Sequence, residues 1–341
     1  MYRKQAQLVL LVLCVVLLIV ACVSVGVGQI AINFKNTLAV VTSSLGLNFF
    51  SAADYTEEQK AVIWFIRMPR LIVGILVGGA LGISGAVMQG VFSNPLADPG
   101  IIGVSSGAAT GAVLALGVSA DSIFALPMFA FGGAIFAVGL TVLLAMRNGK
   151  IPVMTLLLAG VAVGMFLGAI TSGLLTFMNE QKLQQYLFWM VGGLDYRRWE
   201  HVYMAVGPVV IGSGLMLLLA RHLNILVLGD TEAKAVGMRV MPFRMGLLTI
   251  AALTTATSVC VSGNIGFVGL VVPHMMRMLV GPDHRVLLPA SVLAGATFLV
   301  FCDTLGRVIM PPAEVRVGIM TAILGTPYFL YLLRRMQKTT F

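Results

Sequence analysis

Charge is scarce in this sequence. Asp, Glu, Lys and Arg make up 10% of its 341 residues, where a soluble globular domain carries roughly a quarter. That shortage excludes an ordinary soluble domain. Cysteine is scarce too. Cys14, Cys22, Cys260 and Cys302 all sit in apolar runs without CxxC spacing, so buried thiols are expected and no metal site is implied. There is no GxxxxGK[ST] loop and no HExxH. The chain therefore cannot cradle nucleotide phosphates in that way, and no catalytic pair is visible. It is read as a non-enzyme. The net charge of +9 needs no nucleic acid to explain it.

Apolar sequence is what the chain has instead. Hydrophobic residues reach 59% and the mean hydropathy is +0.99, which marks an integral membrane protein. The 38 glycines point to close helix packing. About ten apolar elements follow one another. The first, roughly Leu8 to Gly28, is too long for a signal h-region and is read as an uncleaved helix. A polar excursion from Gln29 to Lys60 precedes the second, about Ile63 to Ala86. That element opens on Arg67-Met68-Pro69-Arg70 and holds Gly74, Gly78, Gly79, Gly82 and Gly85, leaving one face nearly bare. A break from Gln89 to Gly100 leads to a short third element near Ile101. The fourth runs from about Ile123 to Met146, before Arg147 and Lys150, and the fifth from about Val153 to Met178. A semi-polar patch, Tyr186 to Trp199, has Trp189, Tyr196 and Trp199 as an interfacial belt. The sixth element is about Val202 to Ala220. The charge-free run Met245 to Pro273 is too long for one span at roughly 1.5 Å per residue, and Ser262 to Gly266 divides it into a seventh and a shorter eighth. The ninth is about Val286 to Gly306. Pro311-Pro312 precedes the tenth, about Val317 to Leu333.

With the first helix starting inside and ten crossings, thirteen Lys and Arg fall inside and nine outside. Acids split four inside to nine outside, so the inside carries all of the +9. Both termini are then cytoplasmic. So is the polar stretch Leu226 to Arg244 between the sixth and seventh elements. Within it, Asp230 or Thr231 is placed to cap a short helix carrying Glu232, and Gly237 to end it. The segment reads either as an ordinary loop or as a docking element held by a partner. Ala233 and Ala235 are small, which suits close approach to a partner groove. His274, after Pro273, is expected to bond locally. Asp303 lies in the ninth element with Arg307 four residues on, the spacing of a same-face ion pair. An acid in a membrane helix is also a functional candidate. An ion-coupled secondary transporter would need more such carboxylates near mid-membrane.

Many short motifs occur in order: Arg67-Met-Pro-Arg70, Ser84-Gly-Ala-Val-Met-Gln89, Asn94-Pro-Leu-Ala-Asp-Pro99, Gly103-Val-Ser-Ser-Gly107, Leu157-Leu-Ala-Gly160, Phe188-Trp-Met190, Gly192-Gly193, Leu228-Gly-Asp230, Gly263-Asn-Ile-Gly-Phe-Val-Gly-Leu270, Pro273-His274, Gly281-Pro-Asp-His-Arg285, Ala313-Glu314 and Val317-Gly-Ile-Met-Thr-Ala322. They run from about Arg67 toward the C-terminus, so the match spans about four-fifths of the chain, and through them it resembles the FecCD-type permease family. These are the membrane subunits of type II ABC importers for iron-siderophores, haem and vitamin B12. The resemblance implies an all-α polytopic fold of ten transmembrane helices, forming a single permease domain over residues 1–341. It implies a second copy of the chain and two cytoplasmic ATPase subunits, which use ATP and Mg. It also implies a periplasmic or lipid-anchored binding protein, in the cytoplasmic (inner) membrane of a cell. No cofactor is implied for this chain. The coupling segment, about 226–244, would carry Leu228, Gly229, Asp230, Thr231, Glu232, Ala233, Ala235 and Gly237. Arg67, Arg70 and Arg307 would dock the binding protein. Pro152, Val153, Met154 and Thr155 would form the inner gate region, with a more apolar contact than in relatives bearing small hydroxyl residues there. An iron complex is the expected cargo and a corrinoid the alternative.

Overall fold

The computed structural model describes residues 2–28, 30, 32–44, 46, 55–118, 122–146 and 151–339. Arg147 and Lys150 lie outside them, as does the middle of the excursion after the first helix. Every regular element among the described residues is helical. Among the described residues, seven helices are long and apolar enough to span a membrane, and three shorter apolar ones, Val104–Gly117, Val268–Val280 and Val317–Tyr331, bring the total to the expected ten.

In chain order the helices are α1 (Tyr2–Gly26), α2 (Phe34–Ser44), α3 (Glu57–Val91), α4 (Val104–Gly117), α5 (Ala125–Ala145), α6 (Val153–Leu175) and α7 (Glu180–Val191). Then come α8 (Trp199–Leu218), α9 (Ala220–Leu226), α10 (Asp230–Ala235), α11 (Val240–Ser262), α12 (Val268–Val280), α13 (His284–Ile309) and α14 (Val317–Thr339). The sequence reading missed α2, α7 and α9, whose polar residues hide short helices within loops. It also started α3 six residues late. Thr56 and Gln59 make a reciprocal capping box there, so the helix begins in polar sequence. A π-turn over Val62–Arg67 follows, and the Met68 N–H bonds to the Ile63 carbonyl. This wider turn precedes Pro69, which has no N–H to give.

The centre of the fold is α3, α11 and α13. α3 is buried along 83% of its most apolar window, against 11% for α1. The bare face of α3 explains this. A Cβ at Gly78 or Gly82 would overlap the α13 backbone at Gly295 or Ser291, and one at Gly85 would overlap Gly269 of α12. Only glycine permits that approach, and without a hydrophobic drive between membrane helices such packing is what holds them. At the lower end of α3, Gln89 donates to the Leu270 carbonyl (3.0 Å) and accepts from Arg277 (3.0 Å), tying α3 to α12.

The break at Ser262 to Gly266 falls where expected. Gly263 lies in the left-handed region at φ +74° against the Trp189 carbonyl. The Gly193 N–H bonds to the Ser262 carbonyl (2.8 Å), and the Gly318 N–H to that of Gly192 (3.3 Å). Three glycine motifs, far apart in sequence, thus meet at one face. One expectation needs correcting. Trp189 is buried at 7% exposure, because α7 turns it inward with Tyr186. Tyr196 is exposed, and Trp199 packs against Trp64 in a tilted arrangement with ring centroids 5.1 Å apart.

Candidate functional site

The expected site residues gather in two groups, one around Arg70 and one around α10. In the first, Arg70 on α3 holds three acids. It donates to Asp303 from Nε (3.0 Å) and Nη2 (2.8 Å), and to Glu314 from Nη1 (2.7 Å). Asp195 lies 3.5 Å from Nη2. Asp195 also pairs with Arg316 (3.3 Å), whose guanidinium sits 4.3 Å over the Phe188 ring. Arg307 reaches Asp303 at 3.4 Å across one helical turn, the pair that the spacing predicted.

Arg67 and Arg307 do something the sequence did not announce. Both are buried, at 6% exposure. Arg67 donates to the carbonyls of Val25 (2.7 Å), Gly26 (3.0 Å) and Ile30. Arg307 donates to those of Val27 (2.8 Å) and Ser24 (3.0 Å) and to the Ser24 hydroxyl (2.7 Å). The last carbonyls of a helix have no partner within it. Two guanidinium groups from α3 and α13 supply the donors for α1. Of the three expected docking arginines, only Arg70 lines the cavity of about 720 Å³ that Asp195, Glu314 and Arg316 also line.

In the second group, α10 is the expected short helix. Gly229 precedes it at φ +113° and Gly237 ends it at φ +81°. The Gly237 N–H bonds to the Lys234 carbonyl (2.9 Å) and that of Met238 to Ala233 (3.0 Å), which closes the helix as a glycine C′ residue does. The expected side-chain cap is absent. Gly229 occupies the N-cap position, and neither Asp230 nor Thr231 bonds back to the helix. Asp230 instead accepts from Arg244 on α11 at 2.5 Å, which holds its carboxyl below its ordinary value.

Ala233 is fully buried in its own chain, whereas Ala235 is exposed. Of the two small residues, Ala235 alone is open to a partner. In so short a helix, which side faced the bundle was not legible. Leu228 at 67% and Val236 at 69% exposure make the apolar part of the free surface, beside Thr231, Glu232 and Gly237. The helices on either side of α10 are tied to the bundle. His222 stacks on Phe243 at 4.2 Å between α9 and α11, and Asn224 of α9 donates to Asp283, the N-cap of α13 (2.8 Å).

The segment expected to form the gate lies across a cavity from α10. Pro152 is the N-cap of α6, and Met154 and Thr155 are exposed at its start. An apolar exposed stripe continues along α6 through Leu158, Val161 and Met165. A cavity of about 680 Å³ separates Pro152 and Val153 from Asp230, Lys234, Arg239 and Arg244. His274 lies on α12 with its ring 6.5 Å from that of Tyr328. No group of three or more His, Cys, Asp or Glu able to hold a metal ion occurs among the described residues.

The chain is 46% identical to the cobalamin import system permease protein of Halobacterium salinarum, over 82% of this chain and 74% of that one. It is 38% identical to the hemin transport system permease protein of Yersinia pestis, over 98% of both. A solved structure of a metal-chelate type ABC transporter in an inward-facing conformation superposes with a TM-score of 0.84 at 32% identity, covering 96% of this chain and 98% of that one. The FecCD transport family matches residues 16–335, and the chain belongs to that family as a multi-pass membrane permease subunit of an ABC importer.

Proposed function

We propose that two copies of this chain form the transmembrane pathway of an ATP-driven importer whose cargo is an iron complex, haem or a siderophore. Each copy is a single permease domain in the cytoplasmic membrane with both termini inside. The observation that carries this reading is α10. It is a short helix flanked by the exposed apolar residues Leu228 and Val236 and tied to the long helix α11 by Asp230–Arg244, while His222–Phe243 joins its neighbours α9 and α11. Such an element transmits displacement as a body, which a frayed loop cannot. The energy must come from outside, because the chain has no nucleotide-binding loop. Two cytoplasmic ATPase subunits using ATP and Mg supply it through the segment Leu228 to Gly237. Cargo release follows as ATP shifts the population between open and closed gates.

At the other face, a binding protein docks around Arg70, and Arg67 and Arg307 support that surface by fixing the end of α1. The inner gate is the Pro152 to Thr155 segment. The exposed stripe that starts at Met154 and runs through Leu158, Val161 and Met165 supports α6 as a pathway wall. An apolar wall suits a macrocycle with wide apolar faces. The corrinoid reading therefore stands second, favoured by the 46% identity to a cobalamin permease.

Reconstitution with the ATPase pair and the binding protein tests all of this. Native mass measurement should count two permease copies. ATP-dependent uptake should follow one cargo among haem, a ferric siderophore and cobalamin. Accumulation against a gradient without ATP would sink the coupling claim, and preferred uptake of cobalamin would replace the iron reading with its rival.

A further inference from the structure

We propose that the inner cavity between α10 and the start of α6 seats an acidic side chain of the partner ATPase. One contact would then grip the coupling helix and the gate segment together. This rests on the reading of α10 as the coupling element and adds a second point of attachment, with a defined chemistry.

Charge carries the argument. Lys234, Arg239 and Arg244 line the cavity against a single carboxylate, Asp230. Arg244 is already bonded to Asp230. Its Nε is nonetheless buried without a hydrogen-bond partner among the described residues. Lys234 and Arg239 are exposed, and neither side chain forms an ion pair or hydrogen bond with another described residue. Two cations are thus left over on one wall. The rest of the lining is apolar, with Met238 and Met241 among its residues. A glutamate fits that mixture, its methylene stem on the methionines and its carboxylate between Lys234 and Arg239.

Position selects the occupant. The cavity is lined by α10 itself, so a protein seated on Leu228 and Val236 reaches it without leaving that surface. The facing wall, Pro152 and Val153, is the base of α6. An acid held there would touch the gate directly, and withdrawing it would free that base to move. A salt-dependent charged contact at the edge of an apolar patch is also how partners gain specificity and speed of association.

The test uses the full permease and its ATPase pair in nanodiscs, with two variants. Val236→Asp sits in the apolar patch, and Lys234→Glu with Arg239→Glu sits in the cavity. Val236→Asp should abolish co-purification of the ATPase; if it does not, the coupling reading itself falls. The double variant should weaken ATPase affinity about tenfold or more and flatten its salt dependence. A Glu→Lys or Asp→Lys change on the ATPase should restore both. If Val236→Asp abolishes assembly while the double variant keeps wild-type affinity, salt dependence and transport, the cavity proposal is overturned and the coupling reading stands. If native mass spectrometry instead shows an anionic phospholipid retained by wild type and lost only from the double variant, at unchanged ATPase affinity, the cavity is a lipid site and the proposal is also overturned. A Lys234→Gln, Arg239→Gln variant guards against misfolding. It should give the same affinity loss in milder form, with the permease dimer intact.

Discussion

Cations at the two faces of this protein are used in opposite ways. Around Asp303, Arg67, Arg70 and Arg307 are buried or nearly so and spend their donors on their own chain. Beside α10, Lys234 and Arg239 stand exposed with no hydrogen-bond or ion-pair partner among the described residues. The first arrangement locks helices together; the second leaves charge for another molecule. Net charge alone hides this, since it counts a satisfied arginine and a free lysine equally. What separates them is the cost of desolvation. A guanidinium deep among helices must be paired, whereas an ammonium at a surface need not be.

Arg70 gives the sharpest break. Arg70→Met leaves Asp303 with only Arg307 beside it, and Glu314 without this partner. Removing one member of a buried ion cluster typically costs about 3–5 kcal/mol. Thermal unfolding in nanodiscs should show this as the largest loss of any single arginine. A change under 1 kcal/mol would mean that the outer network is not what stabilises that face.

Arg307→Ala comes next. It frees the Ser24 and Val27 carbonyls and weakens the Asp303 site. A buried polar group left unmade costs about 1–3 kcal/mol. The added signature is local. A Ser24→Cys reporter at the end of α1 should become more accessible to a thiol reagent in Arg307→Ala than in the parent. Equal labelling would separate Arg307 from α1 and return it to direct docking.

The Asp230–Arg244 pair tests the inner face from within. Arg244 depresses the Asp230 pKa from its ordinary value of 3.8. The stability it brings is therefore fully present above that value and is lost as pH falls through the depressed one. Stability should match that of an Asp230→Asn variant only in strong acid, and the difference should be flat from pH 8 to 5. Asp230 is half exposed, so water screens the pair and the effect should stay within about 1 kcal/mol. A difference that collapses near pH 6 would point to another titrating group.

Sequence legibility followed the range of the interaction. Asp303 and Arg307 are one turn apart, and their pairing was readable from spacing. Gly237 ended α10 because a glycine signal is local. The cap failed because the competitor for Asp230, Arg244, lies fourteen residues away on another helix. Arg70 and Glu314 are 244 positions apart, and nothing in either neighbourhood announces the other. Trp189 was misplaced for a related reason: aromatic composition marks an interface, but the facing of a short amphipathic helix is set by its neighbours. The ten apolar elements were legible because hydropathy is a property of each run alone.

The smallest expected effect is the one that most sharpens the contrast. Lys234→Gln removes a charge that has no ion-pair partner among the described residues from an exposed position. Exposed substitutions of this kind usually change stability by less than about 0.5 kcal/mol. The isolated permease should therefore unfold as the parent does. With the ATPase present, linkage makes the parent more stable, by an amount that grows with the logarithm of ATPase concentration over Kd. A variant that binds less well should gain less at every concentration. The stability difference would then be absent in the permease alone and appear only in the complex. Arg70→Met should behave in reverse, with its full cost present before any partner is added. If Lys234→Gln destabilises the isolated permease as much as the complex, its ammonium is engaged within the chain, and the two faces are built alike.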